Sequence, residues 1–178
     1  MTFPDLHTSR LWLRSILPGD QNDIFKGLSD ADVVRYYGVS YRSFEDTREQ
    51  MKWYDQLEKN KTGKWWAVCL AGSTQLMGTV GIYHINAVHR KCEMGFWLQK
   101  EFWGKGYINE AAGAVIKFAF GQLNLHRIEA TVETENKASI KTLSKLGFRL
   151  EGTQRECEWK KDRWIDLHQF ALLNDNNE

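Results

Sequence analysis

Proline is scarce in this chain: Pro4 and Pro18 are the two among 178 residues. No proline-rich linker therefore divides it. Cysteine is also sparse. Cys69, Cys92 and Cys157 form an odd, scattered set that suits neither paired bridges nor zinc-ligand spacing, and it points to a reduced, cytoplasmic setting. No apolar run nears the roughly 20 residues that span a bilayer; the one at residues 111–116 stops at Lys117. The opening Met1-Thr2-Phe3-Pro4-Asp5 lacks the basic start and apolar core of a secretory signal. An excess of one charge is missing too. Basic residues number 24 and acidic 23, for a net +1, so general nucleic-acid binding is not expected, although a local basic patch stays open.

What is present is an ordinary globular composition, 42% apolar and 26% charged, in a length that suits one domain over residues 1–178. Eight tryptophans fill a core or line an aromatic pocket.

Hydrophobic spacing predicts the elements. Residues 10–14 alternate as a strand. Asp20 is placed to cap a helix carrying Ile24, Phe25 and Leu28, and a second short helix is predicted over residues 30–37. Ser43-Phe44-Glu45-Asp46 reads as a capping box ahead of a helix with Met51, Tyr54 and Leu57. The period then shortens: strands are predicted at 65–70, 76–85 and 91–98, an antiparallel meander. A helix with the stripe Ala111, Ala112, Val115, Ile116, Ala119, Phe120 and Leu123 follows. Next come a strand at 127–132 and a helix capped by Asn136 and stopped by Gly147. Strands at 148–150, 153–159 and 164–172 close the chain, and a polar tail after Leu173 is expected to fray. The pattern is α+β around a mixed sheet.

Two segments carry chemistry. Trp103-Gly104-Lys105-Gly106-Tyr107 stands just ahead of a helix, whose first turn exposes unpaired amides with a partial positive charge. Glycines admit a phosphate close to the backbone, and Lys105 adds a cation, so the run reads as a pyrophosphate cradle or as an ordinary glycine turn. It is neither G-x-x-x-x-G-K-S/T nor G-x-G-x-x-G. The second segment is Asn136-Lys137-Ala138-Ser139, leading to Lys145-Leu146-Gly147-Phe148.

Taken together and in order, these segments resemble the GNAT family of acetyl-CoA-dependent N-acetyltransferases, and more narrowly its RimJ/RimL-like branch. The resemblance also draws on Thr8-Ser9-Arg10-Leu11-Trp12-Leu13-Arg14, Glu93-Met94-Gly95-Phe96-Trp97-Leu98 and Glu110-Ala111, and it covers nearly the whole chain. It implies a mostly antiparallel central sheet flanked by helices, with splayed strands that form the acetyl-CoA site. The backbone of Trp97, Leu98 and Gln99 would pair with the pantetheine arm, and the amides of Trp103, Gly104, Lys105, Gly106, Tyr107 and Ile108 would hold the pyrophosphate. Asn136 would bond the pantetheine, while Lys105 and Lys145 meet phosphate charge or stay solvated. One departure stands out: Glu101 occupies the Gln or Arg place of the family's Q/R-x-x-G-x-G run, so it is expected to point to solvent.

Amide formation from a thioester needs a neutral amine, a stabilised oxyanion and a protonated or hydrogen-bonded leaving thiolate. Glu93 is the expected base, with His84 in reserve; a salt-bridged or substrate-orienting carboxylate is the other reading of Glu93. A backbone N–H near Leu98 is expected at the oxyanion. The RimJ/RimL-like branch carries a serine at the Ser139 position, so the resemblance implies that Ser139 meets the thiolate; the tyrosine many relatives carry four residues further on is here Leu143. The acceptor amine belongs to a protein N-terminus or a small molecule such as a polyamine, amino acid or aminoglycoside; a non-catalytic acetyl-CoA-binding module is the third reading. Acceptor contacts are expected from residues 20–57 and the hairpin 156–168. Tyr36, Tyr37, Trp66, Trp159 and Trp164 form a candidate aromatic mouth, and Asp166 and Glu156 could draw a cation. No metal and no membrane partner is expected, and a homodimer stays open.

Overall fold

The computed structural model describes residues 3–174. Among them eight strands form one sheet in the order β1-β2-β3-β4-β5-β6-β8-β7. Strands β1 (Leu6–His7) and β2 (Leu11–Ser15) lead, through helices α1 (Gln21–Ser29) and α2 (Thr47–Lys59), to the meander β3 (Lys64–Leu70), β4 (Gly78–Asn86) and β5 (Lys91–Leu98). Helix α3 (Tyr107–Gly121), strand β6 (Arg127–Glu133) and helix α4 (Lys137–Lys145) follow, and the hairpin β7 (Arg149–Lys160) and β8 (Arg163–Leu173) ends the fold. The neighbours pair antiparallel except β5 and β6, which are parallel because α3 carries the chain back between them.

The alternation of a strand sorts its side chains to two faces, and the central strand β3 shows it. Trp66 and Val68 enter a core with Ala111, Ala112, Val115, Phe118 and Ala119 of α3 and Leu143 of α4. Trp65, Ala67 and Cys69 enter a second core with Ile24 and Leu28 of α1 and Tyr54 and Leu57 of α2. The molecule is thus helix, sheet, helix in three layers.

Several expectations change. Asp20 precedes α1 but makes no cap bond to it. Its carboxylate instead takes both Arg14 Nη1 and Nη2, at 2.8 and 2.7 Å, in a buried bidentate pair. Ser43 Oγ does accept the Asp46 N–H at 3.2 Å, yet α2 starts later, because tight turns run from Phe44 to Asp46 first. In place of the two strands expected at 148–150 and 153–159 there is one, β7 over 149–160, with register shifts between Leu150 and Gly152 and between Gln154 and Glu158. Trp66 is fully buried; its indole N–H donates to the Pro4 carbonyl and its ring packs on Phe118, so it lines no mouth. Asn174 is buried, and its N–H donates to the His126 carbonyl. The rest of the expected frayed tail lies outside the described residues.

Candidate active site

The site begins where β5 and β6 part. Their parallel register comprises Lys91 with Arg127, Cys92 with Ile128 and Glu93 with Glu129, and stops there. Beyond Glu93 the two strands diverge into a fork, open at their C-terminal ends. The first turns of α3 and α4 flank that opening. This is the crevice where an α/β unit places a ligand.

The alternation of the β4–β5 ladder decides which backbone groups face the gap. Gln99 N–H donates to the Met77 carbonyl. With Thr79 opposite Trp97 and Gly81 opposite Gly95, the odd-numbered residues of β5 therefore exchange bonds with β4. Phe96 and Leu98 turn their backbone groups to the gap. This corrects the expected edge of Trp97, Leu98 and Gln99. Trp97 faces β4, and Gln99 is fully engaged, since its carbonyl accepts the Phe102 N–H. Leu98 remains, joined by Phe96, which only the register reveals. The Leu98 carbonyl is taken by the Trp103 indole N–H at 2.8 Å, which leaves its N–H directed at the gap.

Above the fork lies the glycine loop. Gly104 and Gly106 both adopt left-handed conformations, with φ of +73° and +79°. A Cβ on Gly104 would meet nothing within 4 Å, so the glycine serves the conformation rather than the space. The Trp103 N–H is spent on the Lys100 carbonyl, which removes it from the expected cradle. From Gly104 to Ile108 no N–H donates to another group of the described residues. That leaves a row of open amides at a helix N-terminus, a ready anion site. Lys105 is exposed, with its ammonium 5.7 Å from the centre of the Phe102 ring. Glu101 pairs with Lys26 of α1, out of the cradle.

At the other wall, Asn136 Oδ1 accepts the Ser139 N–H at 3.1 Å and caps α4. The cap leaves the Asn136 side-chain NH2 without an intramolecular acceptor among the described residues, so capping and ligand binding are compatible. The Ser139 hydroxyl is half-buried and makes no hydrogen bond within the described residues. Lys145 stands exposed at the far end of α4, and among the described residues no ion pair joins it to the glycine loop.

Glu93 stands at the branch point of the fork, on the side of the sheet that α1 and α2 cover. His84 Nδ1 lies 2.8 Å from Glu93 Oε1. His84 holds a φ of +51° beside a register shift in β4, and that shift turns its ring onto the carboxylate. The two rival candidates thus form one unit.

A segment after α1 bridges the mouth of the fork. Asp32 pairs with Lys100 just past β5, at 2.5 Å. The Tyr37 carbonyl accepts from Lys160 of β7, which also pairs with Glu133 of β6. Under this bridge lies a cavity of about 260 Å3 lined by Arg35, Tyr36, Glu133, Glu135, Lys160, Lys161, Arg163 and Ile165. Arg163 grips Glu135 through both terminal nitrogens, at 2.7 and 2.6 Å. Trp159 and Trp164 meet edge to face at 5.2 Å on the exposed hairpin. Asp166 is occupied by the Glu156 N–H at 2.8 Å. None of these ion pairs had a local sequence signal, since each joins distant segments.

A sequence model described as an acetyltransferase (GNAT) domain matches residues 10–149. The chain belongs to the GNAT acetyltransferase family. This acetyltransferase is 33% identical to the uncharacterized N-acetyltransferase YoaA of Bacillus subtilis, over 96% of this chain and 97% of that one. Its fold matches spermidine N-acetyltransferase from Vibrio cholerae, solved with CoA and spermine, with a TM-score of 0.82 at 26% identity over 93% and 96% of the two chains. RimL, a ribosomal-protein α-N-acetyltransferase solved with CoA, shares the fold at a TM-score of 0.86 and 18% identity, over 96% and 98%. The acetyltransferase uses acetyl-CoA, and the forked edge and amide-lined loop fit that molecule's amide-bearing arm and pyrophosphate.

Proposed function

We propose that this N-acetyltransferase acetylates the N-terminal α-amine of a protein by direct attack of the amine on the thioester. The lining of the bridged cavity carries this reading. Its two carboxylates, Glu133 and Glu135, are held by Lys160 and Arg163, Arg35 pairs with Asp32 at 2.8 Å, and Lys161 makes no ion pair among the described residues. Such a wall offers a polycation no unpaired carboxylate, and it suits a peptide whose amine is its single nearby positive charge.

In this reading the backbone of Phe96 receives the cosubstrate's amide-bearing arm as an added strand would. The open amides from Gly104 to Ile108 take the pyrophosphate, with Lys105 beside them and the Asn136 NH2 on the arm. The Leu98 N–H faces the developing oxyanion. Glu93, held by His84, accepts the ammonium proton, directly or through water, and the Ser139 hydroxyl donates a hydrogen bond to the departing thiolate. The likeness to spermidine N-acetyltransferase supports a second reading, a small amine acceptor.

One experiment separates the two. Acetyl-CoA is titrated calorimetrically, and CoA thiol release is then followed with peptides of varied N-termini and with spermidine. Release with peptides alone is the expected result; release with spermidine alone overturns the peptide reading.

A further inference from the structure

We infer that Arg10 and Glu110 form a clamp that holds the glycine loop in its anion-binding shape, which makes Arg10 a positioning residue for the phosphate end of acetyl-CoA. The inference rests on the reading of that loop as the pyrophosphate site. Arg10 and Glu110 are 100 residues apart in sequence. Arg10 lies just before β2, and Glu110 lies in the first turn of α3. Arg10 Nε donates to Glu110 Oε2 at 2.7 Å, Nη1 donates to the Lys105 carbonyl at 3.1 Å, and the guanidinium lies 4.8 Å from the centre of the Tyr107 ring. Glu110 Oε1 in turn accepts from the Thr8 hydroxyl at 2.5 Å, the Ser9 hydroxyl at 3.2 Å and the Arg10 N–H at 3.0 Å.

Two consequences follow from this geometry. A trans peptide points its carbonyl and its N–H in opposite directions. With the Lys105 carbonyl drawn to Arg10, the Gly106 N–H is held on the other side of the loop. If that peptide turned over, it would present a carbonyl to a phosphate instead of a donor. The second consequence concerns charge. A carboxylate one turn from a pyrophosphate opposes it, and Arg10 cancels that charge within hydrogen-bond distance. The planar guanidinium spans carboxylate and carbonyl at once, which a lysine ammonium on its single point does not do.

The test compares wild type, Arg10→Ala and Arg10→Lys in calorimetric binding of CoA, in turnover with acetyl-CoA, and in turnover with S-acetylpantetheine, which has the same thioester arm without phosphates. Arg10→Ala is expected to weaken CoA binding about tenfold, equivalent to about 1.4 kcal/mol. The KM for acetyl-CoA should rise by a similar factor, while kcat/KM for S-acetylpantetheine stays at the wild-type value. Arg10→Lys is expected to recover little of the loss, and it carries the same comparison if the alanine variant does not fold. Wild-type CoA affinity in Arg10→Ala, full recovery in Arg10→Lys, or equal losses with both thioesters would each overturn the clamp. Failure of the wild type to bind CoA would instead sink the reading of the loop itself.

Discussion

The same substitution, glycine to alanine, is expected to have opposite effects in two helices of this fold. A Cβ on Gly27 of α1 would lie 2.1 Å from Cζ3 and 2.6 Å from Cη2 of Trp97, whereas a Cβ on Gly113 of α3 would meet nothing within 4 Å. Trp97 is 4% exposed and sits on β5, which walls the fork, so relief of the clash must displace a packed ring, α1 or the strand. Overpacking of this kind costs about 1–3 kcal/mol. Against it stands the better helix propensity of alanine, at most about 1 kcal/mol. Gly27→Ala should therefore lose about 1–2 kcal/mol, and Gly113→Ala should gain about 0.5–1 kcal/mol. At about 2–4 °C per kcal/mol for a chain of this size, calorimetric scans should show Tm falling by roughly 2–8 °C in the first and rising by about 1–4 °C in the second. Displacement of Trp97 should also raise the KM for acetyl-CoA in Gly27→Ala alone. A rise in Tm for both variants would refute the packing argument, because propensity would then be the sole operating term.

Further outcomes concern the chemistry. Ser139→Ala should lower kcat about tenfold or more with acetyl-CoA affinity retained; an unchanged kcat in steady-state assays removes Ser139 from the reaction. Glu93→Gln should lose activity at neutral pH and regain part of it at high pH, where the amine is already neutral; a pH profile parallel to wild type argues for a positioning role instead. Burial opposes ionisation of Glu110, but hydrogen bonds from Thr8, Arg10 and Ser9 outweigh it and hold the carboxyl down to about 2, against 4.5 as its ordinary value. Its folded pKa is thus below its unfolded one, so its stabilisation is full above about pH 4.5 and disappears as pH falls towards 2. Denaturation across that window should be steeper for wild type than for Glu110→Gln. Burial pushes the Cys92 thiol up to about 12, and Cys69 is buried as well. Alkylation of the native protein, read by mass spectrometry, should therefore modify the exposed Cys157 first.

How much of this was legible in the sequence depended on the range of the interaction. Strand β5 matches its predicted bounds because Met94, Phe96 and Leu98 alternate against the core. Asn136 and Gly147 end α4 as expected, because capping is decided within four residues. The stripe of α3 omitted Phe118, which is buried, since a helix packed against a wide sheet buries a broader arc than a narrow stripe. The burial of Trp66 is not legible because Trp65 and Trp66 are both covered, one by each helical layer, and neighbouring residues on such a strand carry no contrast. The family resemblance was readable from the runs around Gly104, Gly106, Asn136 and Ser139. The free edge at Phe96 and Leu98 was not, because it depends on register parity against β4. The cavity proposed for the acceptor was hidden for a similar reason: Glu133 with Lys160 and Glu135 with Arg163 bring together segments 27 and 28 residues apart.

The three-rung junction between β5 and β6 has a mechanical meaning. A sheet gains stiffness from continuous rungs, and this one is slit along part of its middle, so its two halves share a short hinge and the crossover of α3. A guest lying in the slit supplies the missing rungs and joins the halves. Occupancy should then register as resistance to unfolding across both halves, about 2.7 kcal/mol when the guest stands at a hundred times its dissociation constant. In the proposed binding mode the cosubstrate is, in that sense, a removable length of strand.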